Sequence, residues 1–163
     1  MSSSTERAWL ARAIELAAEN AAAGGRPFGA VVALRGTVVG EGVNRCLADN
    51  DPTAHAEIEA IRAATRRLAT PRLDGAVIAA STIPCPMCQA ASLLAGVARI
   101  VFATDETVAA ARGYDARELL ADLERPLPER RVMDVIQFHV DGEDRPYALA
   151  AAYRSASQSG DEG

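Results

Sequence analysis

The sequence predicts an α/β protein, a three-layer α/β/α sandwich built on a five-stranded mixed sheet. Three observations carry that expectation. Helical periodicity and short β-branched runs alternate along the chain in the order α-β-β-α-β-α-β-α-β-α. Hydrophobic residues make up 49% of the 163 residues but aromatic ones only 4%, so small side chains favour close helix-on-sheet packing over a large apolar pocket. The length supports one core, and neither an internal repeat nor a long linker marks a second domain. A single domain is expected over 1–157, with a frayed polar tail over 158–163.

Each element has its own signal. Ser3-x-x-Glu6 has the pattern of a capping box, and Leu10, Ile14, Ala17 and Ala21 follow at helical spacing until Gly24-Gly25 stop the helix. Ala30–Leu34 and Thr37–Gly40, joined by Arg35-Gly36, read as an antiparallel hairpin. A polar loop, VNRCLADND, leads to Pro52, which opens a helix running to about Leu68. Pro71 and Asp74-Gly75 break the chain before a third strand, AVIAAS. Pro84 and Pro86 introduce another helix, ended by Gly96. The continuous apolar run ARIVFA predicts a fourth strand buried on both faces. Short helical pieces are expected from Thr107 to about Leu123, then a fifth strand, VMDVIQFHV, and a last alanine-rich helix. After the hairpin, strands alternate with helices, which implies right-handed crossovers and a largely parallel sheet.

Composition excludes some functions. Seventeen basic against 22 acidic residues leave a net charge of −5, poor material for displacing counterions from nucleic acid. The basic doublets Arg66-Arg67 and Arg130-Arg131 read as solvated faces. The N-terminal segment lacks the apolar run of a signal peptide or anchor, and no stretch is long enough to span a bilayer. Three cysteines, two of them in C-x-x-C spacing, do not suit a disulfide scaffold and fit a reducing compartment, read here as the cytoplasm.

Two motifs stand out together: His55-x-Glu57 in the first turn of one helix, and Pro84-Cys85-x-x-Cys88 in that of another. Each is uninformative alone, because a lone C-x-x-C is often structural or redox-active and a lone H-x-E is usually surface. Both lie on helices of the same sheet, so the two N-termini can meet at one edge. Cys85 and Cys88 share a helix face. The dipole and free amides there favour the thiolates a metal needs. One imidazole and two thiolates make a zinc site with its fourth position open, the pattern of catalytic rather than structural zinc.

The H-x-E…P-C-x-x-C pattern is the signature of zinc nucleobase deaminases. The chain resembles the cytidine/deoxycytidylate deaminase-like superfamily, and within it the bacterial guanine deaminase branch. PFGAVV (27–32), GVNR (42–45), NDPTAHAEIEAIRAA (50–64), PCPMC (84–88) and ARGYD (111–115) carry the resemblance. It implies hydrolytic deamination of an aminated heterocycle, guanine first, with zinc to activate water and Glu57 to shuttle the proton. It also implies that Asn44 bonds the heterocycle, that the amides of Ala56 and Cys85 face its carbonyl edge, that Phe28 walls the pocket, and that Asp115 lies at the substrate. Asn44 reads equally as a turn residue, and Phe28 reads more readily as core packing than as a substrate contact. The partners implied are a small heterocyclic substrate and water, with a second copy forming a homodimer that exchanges C-terminal segments.

The chain departs from that branch at four places. Ile83 stands where a glutamate commonly precedes Pro-Cys, Ala116 where a second acid follows ARGYD, and Leu94 where an aromatic residue is usual. The aromatics of the last helix are reduced to Tyr147 and Tyr153. Cytosine, cytidine-type nucleosides, aminotriazines and modified purines therefore stay open as substrates. A tRNA adenosine deaminase and a zinc-stabilised binding protein without turnover are the remaining readings; the acidic balance argues against the first, and Glu57 against the second.

Overall fold

Packing is organised around a four-stranded sheet in the order β2-β1-β3-β4: β1 Gly29–Leu34, β2 Thr37–Val43, β3 Val77–Thr82 and β4 Arg99–Thr104. The coordinates are a computed structural model, and it describes residues 3–115, 117–133 and 135–159. The helices are α1 Ser3–Ala22, α2 Cys46–Asp49, α3 Ala56–Leu68, α4 Pro86–Leu94, α5 Glu106–Ala110, α6 Arg117–Leu123 and α7 Arg145–Ser159. The chain divides into two compact units, Met1–Ala121 and Asp122–Gly163.

Alternation along the central strands builds a layer on each face of the sheet. Val31, Ala33, Val77 and Ala79 pack with Trp9, Ala13 and Leu16 of α1. Ala30, Val32 and Ile78 point the other way, onto Ala56, Ala60 and Ala64 of α3. The three layers are those the sequence predicts, and alanine lets the helices come close. The buried stripe of α1 is Trp9, Ala13, Leu16 and Ala17, while Ile14 is 48% exposed. An alanine-rich helix offers too little contrast to place its apolar face by spacing alone.

The sheet corrects the expectation in three ways. It has four strands among the described residues, not five. Val132, Met133, Val135, Ile136, Phe138 and Val140 are all exposed, and no strand is found among the described residues of 132–140. Second, β1 pairs antiparallel with both β2 and β3, and only β3 and β4 run parallel. Third, β4 is an edge strand, with Arg99, Phe102 and Ala103 exposed, so its apolar run does not mean burial on both faces.

In the second unit, the Asp122 carboxylate accepts the N–H groups of Arg131 and Val132 at 2.9 and 3.2 Å. These bonds hold the carboxyl below its ordinary range, the Arg131 N–H contributing most. Helix α7 continues to Ser159, into the segment expected to fray, and 160–163 lie outside the described residues. No described helix is long and apolar enough to cross a membrane.

Candidate active site

Two glycines of β2 place the first half of the site. A Cβ on Gly42 would run into the Ala56 carbonyl and the Ala60 amide, and one on Gly40 would meet Ala64 N at 2.7 Å. Only glycine lets α3 lie this close to the strand. The connecting loop folds on itself: Arg45 N–H donates to Ala54 O at 2.8 Å, and Thr53 N–H to the Asp51 carboxylate at 2.8 Å. Helix α3 therefore starts at Ala56 rather than at Pro52. His55 is its N-cap, with extended backbone and no side-chain capping bond, which leaves the ring free. Glu57 falls in the first turn, where the helix dipole favours an acid.

Helix α4 supplies the other half. Beyond β3, Ile83 N–H donates to Thr104 O at 2.8 Å, and Gln89 Nε2 donates to Pro84 O at 2.8 Å. Cys85 is the N-cap and Pro86 stands in the first turn. Cys88, one turn on, is fully buried.

The two helix starts meet. His55 Nδ1 lies 3.5 Å from Cys85 Sγ and 3.6 Å from Cys88 Sγ, and the sulfurs are 3.6 Å apart. A tetrahedral zinc with ordinary Zn–N and Zn–S bonds requires N···S of about 3.6 Å and S···S of about 3.8 Å. The triangle fits zinc, and His55, Cys85 and Cys88 form the set that can hold it. Three protein ligands leave the fourth position for water or substrate.

Charge in the triangle follows from proximity. The hydrogen bond with Cys88, and next that with His55, hold the Cys85 thiol down at about 4. Cys88 is pushed up, first by Cys85 and then by burial. The pair shares one proton because adjacent thiolates repel, and a divalent cation between them removes that repulsion. Cys85 also raises the imidazole of His55. Glu57, 8% exposed, accepts from the Cys88 thiol at 3.4 Å, and burial raises its carboxyl above the ordinary range.

The other predicted residues fall in distinct places. Asn44 is buried; its Oδ1 accepts the Cys46 N–H at 3.2 Å and its own N–H donates to Phe28 O at 3.0 Å. It is a turn residue whose side-chain NH₂ has no described protein acceptor. Ala56 and Cys85 open their helices, where amides lack intrahelical acceptors. Phe28 packs against the core and meets Tyr114 edge-on, with ring centroids 5.0 Å apart. Asp115 is exposed and bound to Arg117, accepting from its N–H at 3.0 Å and its Nε at 2.8 Å. That partner lowers the Asp115 carboxyl to about 2. Ala116 lies outside the described residues. Sequence reasoning did not single out Tyr114, or Asn20, whose Nδ2 donates to Asn44 O at 2.9 Å. The helical pattern around Asn20 carries no signal for that bond.

This zinc-fitting triangle, with a buried glutamate beside it on an α/β sheet, defines a class. Residues 3–104 match the cytidine and deoxycytidylate deaminase zinc-binding region, and the chain belongs to that family. A guanine deaminase of Bacillus subtilis (strain 168) is 40% identical over 125 residues, 76% of this chain and 80% of that one. An X-ray structure of guanine deaminase from Bacillus subtilis matches with TM-score 0.83 and 35% identity, covering 95% of each chain. A guanine deaminase from Nitrosomonas europaea matches with TM-score 0.63 and 33% identity, over 66% of this chain and 63% of that one.

Proposed function

We propose that the protein is a zinc-dependent guanine deaminase, hydrolysing the exocyclic C–N bond of the base to release ammonia. The observation that carries this reading is Glu57, buried and 3.4 Å from a sulfur of the His55/Cys85/Cys88 triangle, in a chain 40% identical to a guanine deaminase. A purely structural metal site does not require that acid.

Bound zinc lowers the pKa of its water towards neutrality and so supplies the nucleophile. The residues of the chain do the rest. Glu57 accepts the proton from water and delivers it to the ring nitrogen next to the amino-bearing carbon. It then takes the proton of the hydroxyl newly added to that carbon and passes it to the amine, so that the C–N bond breaks, ammonia leaves and the hydroxyl becomes a carbonyl. Burial, by raising its carboxyl, suits it to both directions of transfer. Asn44, fixed through Oδ1, turns its NH₂ towards the heterocycle. The Ala56 and Cys85 amides face the carbonyl edge, and Phe28 with Tyr114 walls the ring.

The fold supports a homodimer through an apolar face in each unit. In the first, Leu93, Leu94 and Phe102 are exposed beside a groove of about 360 Å³ that Ile83 and Ile100 help to line. In the second, Tyr147, Leu149 and Tyr153 of α7 are exposed. Resemblance to the guanine deaminase branch makes exchange of C-terminal segments between copies the way to cover them. A compartment that keeps Cys85 and Cys88 reduced, the cytoplasm, suits the metal set. A tRNA substrate is disfavoured by the net charge of −5.

The test is ammonia release by zinc-loaded protein from guanine, cytosine, cytidine, adenosine and aminotriazines. Guanine should give the highest kcat/KM. Faster turnover of another ring would move the substrate assignment, and release from none would remove the enzyme assignment.

A further inference from the structure

Among the described residues, one buried side-chain oxygen has no hydrogen-bond partner: Oε1 of Glu106. Folded proteins leave few such acceptors, because burial without a donor is unfavourable. Glu106 is not needed to cap α5, since Asp105 does that by accepting the Val108 N–H at 3.0 Å. No salt bridge is described for it.

Its position gives the oxygen a use. Glu106 stands two residues beyond Thr104, the end of β4, whose carbonyl holds Ile83 on the way to Cys85. The residue thus sits at the sheet edge from which the metal-ligand loop departs. The chain after α5 turns back, with Tyr114 N–H donating to Ala109 O at 3.1 Å, and the Tyr114 ring meets Phe28. Asp115, the acid that resemblance places at the substrate, is engaged by Arg117. Asp115 is also the main cause raising that guanidinium, with Glu106 adding a smaller electrostatic contribution, so Glu106 lies within charge range of the same segment.

We propose that Glu106 is a specificity residue whose unpaired carboxylate oxygen accepts a hydrogen bond from an N–H of the bound aminoheterocycle, doing the work that Asp115 does not. The inference rests on the deaminase reading above. A sugar hydroxyl offers the same donor chemistry, so base and nucleoside must be tested separately.

The experiment compares zinc-loaded wild type, Glu106→Leu and Glu106→Gln on guanine and guanosine, with zinc content and melting temperature measured for each. Glu106→Leu should raise the guanine KM about 10- to 100-fold, the scale of one hydrogen bond to a charged group, with a much smaller change in kcat and full zinc. Glu106→Gln, which keeps a carbonyl oxygen, should recover part of the loss. A purely structural role would instead make the losses follow melting temperature. A guanine KM within twofold of wild type in both variants overturns the proposal, and so does a loss confined to guanosine. If wild type ignores guanine, the substrate assignment fails first. The same comparison then uses the heterocycle that wild type turns over fastest, where equal KM values overturn the role of Glu106.

Discussion

Replacing Gly42 by alanine puts a methyl group where the backbone of α3 runs. The new Cβ would overlap the Ala56 carbonyl and the Ala60 amide and lie 2.9 Å from the Glu59 carbonyl carbon. Ordinary contact begins at about 3.5 Å, so the first turns of α3 must move away from β2 by roughly 1 Å. The obstacle is backbone and cannot rotate aside, which puts the cost at the upper end of overpacking, about 3 kcal/mol. That turn carries His55 and Glu57. A zinc site tolerates about 0.2 Å in its bond lengths, so the variant should hold zinc more weakly. Misplacement by 1 Å should lower kcat/KM by about 10²-fold. Gly40→Ala, which meets α3 further along at Ala64, should destabilise similarly while costing less activity. The assay is calorimetry of zinc-loaded protein with metal analysis and ammonia release. A Gly42→Ala protein with wild-type melting, full zinc and full turnover would refute the reasoning.

Other consequences follow from burial and exposure. Cys88→Ala should lose zinc, read by metal analysis, because the thiol is fully buried within the triangle and nothing replaces it. Leu73→Ala should destabilise by about 2–5 kcal/mol in denaturant unfolding, since Leu73 has no exposed surface and belongs to the core cluster beneath α3. Light scattering should give a dimer, and removal of 145–163 should weaken it; a wild-type monomer that remains active would remove the exchange proposal.

The metal set was legible because its chemistry restricts both residue type and spacing. Few arrangements other than zinc use His55-x-Glu57 and Cys85-x-x-Cys88 together at helix starts. The hairpin was legible for a similar reason, since Arg35-Gly36 permits the turn between two β-branched runs. What escaped was decided by partners distant in sequence. The alternation in 132–140 describes a strand only if another strand accepts its hydrogen bonds. The apolar run of β4 describes burial only if both faces are covered. The antiparallel β1–β3 pairing depends on which side of β1 the chain returns to, and the right-handed crossover rule for parallel connections does not decide that. The clasp of Asp115 by Arg117 and the Glu106 oxygen left without a partner among the described residues required side-chain geometry. Gly40 and Gly42 are visible in the sequence, but their purpose appears only once α3 lies on them.

The central claim is that His55, Cys85 and Cys88 hold the metal while Glu57 moves the proton. Its most direct test is Glu57→Gln: metal content and ammonia release from guanine, measured on the same sample beside wild type. The account predicts one zinc per chain in both proteins and a loss of turnover of at least about 10²-fold in the variant. A variant that retains zinc and deaminates guanine at the wild-type rate would contradict it.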